Sequence, residues 1–241
     1  MSDTTDAILA NLKLVDAERG HRSADPVLGA KVVALKAFQQ RRFSHTYADL
    51  LRTTRYGPAA RFFLDELYGP GDFTRRDSQF ARIVPGLVLF PKELLATVGR
   101  LSELHGLSEE LDTRMGATLG EPKVGPIDYL RAWQSVGRAA DRQRQVVLTL
   151  AVAERLDRLT RKPLLRHALH LMRAPARAAG VGDLQRFLEI GFDTFREMNG
   201  AREFLAIIKE REENFAAVLF AADPADAGRG SAMERVLAAL P

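Results

Sequence analysis

The sequence has no cysteine. This excludes disulfides, thiolate metal sites, iron–sulfur clusters and a cysteine nucleophile, and it removes any argument for an oxidising compartment. No apolar run approaches the roughly 20 residues that span a bilayer, so no membrane partner is expected. The opening MSDTTDAILANLKLVDAERG is acidic at first and carries neither a basic leader nor a long apolar core; it is not read as a secretory signal, and a cytoplasmic setting is expected. No segment shows the two-residue alternation of a half-buried strand. Phosphate-cradling G-x-x-x-x-G-K-[ST] loops and G-x-S-x-G nucleophile turns are missing too. Charge of one sign is also missing. The 35 Lys and Arg and 31 Asp and Glu give a net +4, but they are interleaved, as in ERLDRLTRK and KEREEN, so nucleic acid is not an expected partner.

What is present is helical periodicity over 241 residues, enough chain to bury roughly 70–75% of its unfolded surface. The expected fold class is all-α, a single compact multi-helix bundle with one long central helix. Residues 1–22 are expected to form an N-terminal arm helix, 23–221 the helical domain, and 222–241 a linker and frayed C-terminal helix. Asp25-Pro26 reads as a cap followed by proline in the first turn, and Gly57-Pro58 opens another helix. A helix from about 75 to 90 is expected to kink at Pro85. The long central helix is placed at 126–160, where Ile127, Leu130, Trp133, Val136, Ala140, Leu148, Val152, Leu156 and Leu159 repeat at helical spacing. Three shorter helices follow, from Lys162 to about Ala221.

The stretch RFFLDELYGPGDFTRRDSQFARIVP, 61–85, breaks this smooth texture with five aromatic and eight charged residues in 25 positions. Gly69, Pro70 and Gly71 suit a tight helix–helix corner. Thr74 and Asp77 have the spacing of a capping pair, and Asp72 adds a carboxylate. Arg75, Arg76 and Arg82 then have two readings: a structural network with Asp72 and Asp77, or a site holding an anion at a helix start. Phe62, Phe63, Tyr68, Phe73 and Phe80 would line a pocket beside them.

This stretch, together with LMRAPARAAGVGDLQRFLEIGFDTFREMNGAREFL, resembles an uncharacterised, mainly proteobacterial family of all-helical proteins of unknown function. The resemblance covers about residues 26–215 and implies a helical fold in a bacterial cytosol. It implies no active site.

His167 and His170, in RHALHLMR, have helical spacing for two metal ligands, but no acid lies between Lys162 and Gly182. No metal and no cofactor is expected, and no residue is assigned a catalytic role. Glu189, Asp193 and Glu197 share one helix face, read as opposed by arginines, with Arg186 and Arg196 the local candidates. The favoured reading is a non-enzymatic interaction or regulatory domain, with a protein partner or a second copy of itself. The alternative is a ligand-binding protein or enzyme with an anion pocket near Phe62–Arg82.

Overall fold

The computed structural model describes residues 3–66, 73–84, 92–222 and 240–241. Every regular element among them is a helix: α1 (Asp3–Ala24), α2 (Pro26–Thr46), α3 (Ala48–Arg52), α4 (Gly57–Glu66), α5 (Thr74–Ile83), α6 (Lys92–Thr118), α7 (Pro126–Val136), α8 (Ala139–Thr160), α9 (Pro163–Leu171), α10 (Arg173–Ala178), α11 (Gly182–Glu197) and α12 (Arg202–Ala221). The all-α bundle follows from the sequence pattern.

Local chemistry sets the boundaries. The Asp25 carboxylate accepts from the backbone N–H groups of Val27 and Leu28, both at 3.0 Å, and Pro26 occupies the first turn of α2, where no N–H is needed. The Gly125 N–H donates to Asp128 at 3.1 Å at the start of α7.

The helix expected over 126–160 is two helices. Gly137 and Arg138 both take positive φ, 63° and 57°, and turn the chain between α7 and α8. The apolar spacing is the same on either side of the break, so periodicity runs through it, and Gly137 is the local signal. Arg138 is held in this uncommon conformation by its ion pairs to Asp141 and Glu110. The long central helix is instead α6, with 27 residues, which packs against α1, α2, α7 and α8. Gly116 lets α2 come close, since a Cβ there would sit 2.5 Å from Val32 Cγ2. The N-terminal helix is a packed element of the bundle, lying along α6 and burying Ile8, Leu12 and Val15.

Three buried apolar clusters form the interior. Phe38, Met115, Tyr129, Trp133 and Phe215 join α2, α6, α7 and α12. Phe43, Tyr47, Phe63, Phe195 and Phe204 join α2, α4, α11 and α12. Ile8, Leu12 and Val84 form a third, with Phe80, Leu95 and Val98 against it.

Of the corner, Tyr68, Gly69, Pro70, Gly71 and Asp72 lie outside the described residues, as does Pro85. Thr74 is the first residue of α5, with Phe73 in the capping position, and the Asp77 carboxylate reaches Arg19 and His105 on other helices and stands 3.7 Å from Arg76 in its own first turn.

Candidate functional site

A cavity of about 230 Å³ opens where the three apolar clusters meet, lined from all of them by residues such as Leu12, Phe43, Phe63, Phe80, Val98, Tyr129, Trp133 and Ile208. Helix α6 supplies Val98, Leu101, Ser102, His105, Ser108, Glu109 and Asp112 along its length. At 1.5 Å per residue, the run from Val98 to Asp112 makes the cavity about 20 Å long. Its Val98 end is apolar, with Leu12 and Phe80. The charged side chains gather about His105, Glu109 and Asp112.

At one end, Glu109 and Asp112 face α1 and α2. Glu109, 4% exposed, accepts from Arg22 at 2.5 Å and from Lys36 at 2.7 Å. Burial alone would raise its pKa, but Lys36 and Arg22 outweigh burial and hold the carboxyl at about 2. Asp112 accepts from Gln39 at 3.0 Å and stands 3.8 Å from Lys36. Burial, helped by Glu109, pushes its pKa up against the pull of Lys36, so of the two acids Asp112 is the readier to take a proton.

Beside them, Arg42 of α2 donates to Glu212 of α12 at 2.5 Å, and Glu212 also accepts from the Tyr47 hydroxyl at 2.7 Å. Arg142 of α8 has no such partner. It is 5% exposed, yet its donors meet only the Gln145 side-chain oxygen at 3.1 Å and the Met115 sulfur at 2.9 Å. Among the described residues no carboxylate pairs with it. Burial pushes the Arg142 guanidinium below its usual pKa, with Tyr129 and Asp112 opposing from a distance.

Among the described residues, the buried side-chain polar atoms left without a partner are Arg19 Nη1, Arg42 Nε, Trp133 Nε1 and Arg142 Nε. All four are donors. Three belong to side chains that line the cavity, and these form one stack: Arg142 lies 4.1 Å from the Trp133 ring, Trp133 meets Phe215 edge-on at 5.9 Å, and Arg42 lies 4.5 Å from Phe215. A buried unpaired donor costs about 1–3 kcal/mol, more where it is charged. What the stack lacks is an acceptor.

Close to Glu109, Asp77 of α5 accepts from Arg19 of α1 at 2.7 Å and lies 2.8 Å from His105 Nε2 of α6, one turn before Glu109, and the same Arg19 nitrogen stands 3.9 Å from Glu109. Burial works to raise the Asp77 pKa, but His105 and Arg19 lower it overall, so the carboxylate is charged and ties three helices together. Arg76, the member of the predicted arginine set that lines the cavity, stacks on Phe73 and Phe187 at 4.3 and 4.4 Å and donates to the Glu66 carbonyl. Arg75 and Arg82 stand outside it. The Arg75 side chain is 82% exposed and pairs with Asp183 at 2.8 Å, and Arg82 donates to the Gly180 carbonyl at 2.9 Å.

A family model described as Domain of unknown function (DUF8198) matches residues 18–226. The chain belongs to this family. The match takes in every cavity-lining residue except Leu12. No curated protein and no solved structure matches the chain.

The remaining candidates from the sequence fall on the surface. Asp193 and Glu189 of α11 are taken by Arg166 of α9 and Arg173 of α10 at 3.0 and 2.7 Å, not by the local Arg186, which faces Glu66 at 3.7 Å, or Arg196. His167 is exposed and His170 half-buried, and among the described residues no group of three His, Asp or Glu is placed to hold a metal. No described helix is long and apolar enough to cross a membrane. Sequence reasoning missed Arg42, Arg142 and Trp133 as a set. Their signal was register: Arg142 lies 7 residues before Thr149, two turns along the same inward face of α8.

Proposed function

We propose that this DUF8198 domain is a ligand-binding, regulatory helical protein that takes a small organic anion into its interior. The carrying observation is Arg142, a buried guanidinium on the cavity wall with no carboxylate partner and an unsatisfied Nε–H, next to two further orphan donors. An anion there gains charge-assisted hydrogen bonds in a low-dielectric interior. The cavity is walled by α1, α2, α4, α5, α6, α7, α8, α11 and α12, so an occupant would tie these helices together and stabilise the fold increasingly as its concentration rises. That coupling supports a sensing role. The resemblance drawn from the sequence supports a bacterial cytosolic setting.

Native mass spectrometry of protein purified under mild conditions tests this directly. The expected spectrum contains a bound species of small-molecule mass that is lost on denaturation and absent from an Arg142→Met variant. Trp133 is the sole tryptophan and lies on the cavity wall, so its emission should shift as the ligand is stripped. An empty protein whose emission no anionic extract changes would sink the reading.

A second reading, self-association through a helical face, is favoured by the exposure of Leu164, Leu171 and Met172 around α9, 82%, 78% and 48%. Sedimentation velocity over a wide concentration range tests it, with dimerisation expected to disappear in Leu171→Asp.

A further inference from the structure

We infer that the interior cavity takes an unbranched aliphatic monocarboxylate, its carboxylate at the Arg142–Trp133–Arg42 stack and its chain running along α6 toward Val98. The inference rests on the ligand-binding reading above and narrows it to one chemical class.

Four observations carry it. The first is shape: about 230 Å³ spread over about 20 Å is narrow, which admits a chain and disfavours a compact ring system. The second is the lining. The walls include Phe43, Phe63, Phe80, Leu101, Phe187 and Ile208, and each methylene moved from water onto such a surface contributes favourably. The third is the headgroup site. Arg142 Nη1 is committed to Gln145, while Nε has no acceptor and Nη2 touches only the Met115 sulfur. That edge has no oxygen acceptor, and a planar carboxylate brought to it would take two parallel N–H groups. Lys36, Arg22, Arg42 and Arg142 stand against Glu109, Glu212 and Asp112, four cations to three carboxylates, so with all of them ionised the excess is one positive charge, which fits a monoanion better than a phosphate dianion. The fourth is the far end. Leu12, Phe80 and Val98 meet there in one apolar cluster, so a second carboxylate on the chain would be buried without a partner.

The test is a titration of delipidated full-length protein, followed by Trp133 emission and native mass spectrometry, with four ligands of equal chain length: dodecanoate, dodecanol, dodecanedioate and dodecyl phosphate. Dodecanoate is expected to bind at least about tenfold tighter than each of the others, and Arg142→Met to abolish that preference. Leu101→Phe narrows the cavity along the chain path and leaves the headgroup stack intact. It is expected to weaken dodecanoate about tenfold while hexanoate binds as before, a shift in length preference that a loss of stability alone would not produce. Equal binding of dodecanol or dodecyl phosphate would overturn the carboxylate assignment and leave the ligand-binding reading standing. If none of the four binds and the protein as isolated carries no ligand, both fall. Unchanged chain-length preference in Leu101→Phe would overturn the path along α6.

Discussion

Arg75 and Arg142 carry the same guanidinium into opposite surroundings. Arg75 sits in the most charged stretch of the sequence, on the first turn of α5, and ends in solvent, 82% exposed at its side chain with Asp183 as partner. Arg142 sits in an ordinary amphipathic helix, is buried on the cavity wall, and has an amide oxygen and a thioether for company. The difference shows that local charge density marks a busy surface, whereas a site is marked by a charge whose environment fails to satisfy it. Dense charges on neighbouring turns find partners by small side-chain movements in water. A lone charge turned inward depends on what four or five other helices happen to present.

The interior network gives the largest effects by which to break this comparison. Glu109→Ala would leave Arg22 and Lys36 facing each other without their shared carboxylate, and is expected to cost about 3–5 kcal/mol in urea unfolding. A loss below about 1 kcal/mol would mean that these charges are solvated and that the inside–outside contrast is false.

Acid should expose the same network. Glu109 has a folded pKa of about 2 against an ordinary 4.5, a depressed carboxylate. Its contribution is therefore fully present above the ordinary value and lost as pH falls from there toward about 2, amounting to about 3 kcal/mol. Asp112 works in the other sense: its raised pKa means that protonation on the way down relieves a buried charge and blunts the loss. Unfolding free energies measured through this window should fall more steeply in the parent than in Glu109→Gln, and parallel curves would remove Glu109 from the account.

Two arginines on the same cavity wall sharpen the contrast further. Arg42→Met strands Glu212, which keeps the Tyr47 hydroxyl and some access to water, and should cost about 2–3 kcal/mol. Arg142→Met strands no carboxylate and removes an orphan donor, so stability should hold or rise by about 1 kcal/mol. Thermal and chemical unfolding of the pair decide it. Equal losses would mean that Arg142 is partnered as fully as Arg42.

These contrasts also show what the sequence could carry. Capping at Asp25-Pro26, the opening at Gly57-Pro58 and three of the four helices from Pro163 onward, all but the short α10, were legible because their causes are local: a carboxylate two or three residues from the N–H it accepts, a proline in a first turn, apolar residues every three or four. The break at Gly137-Arg138 was not, because one glycine is weak against an apolar pattern that continues in phase on both sides. The cavity was still less legible. Arg42, Trp133 and Arg142 come from α2, α7 and α8, and nothing within any one of these helices says that the three stack together or that no acid on α12 reaches Arg142. The aromatic-rich stretch did contribute Phe63, Phe73, Arg76, Asp77 and Phe80 to the lining, since its bulky rings pack inward whatever the charges around them do.

The smallest expected effect completes the comparison. Arg75 and Asp183 lie 2.8 Å apart, but the side chains are 82% and 44% exposed, so water and salt screen the pair, and holding two long side chains in one geometry opposes most of what remains. Asp183 does not depend on Arg75, because its carboxylate also accepts from the Gln79 amide at 2.9 Å, and Gln79 is buried and fixed in turn by the Leu184 N–H at 3.0 Å. The α5–α11 junction is therefore held by the glutamine beneath the ion pair. Arg75→Ala should change stability by less than about 0.5 kcal/mol and leave Trp133 emission and ligand titrations untouched, while Gln79→Ala, which strands both the Leu184 N–H and part of Asp183, should cost about 1–3 kcal/mol. If Arg75→Ala proved the costlier of the two, the charges of this stretch would be structural in the way its density first implied, and exposure would be a poor guide to which arginine matters.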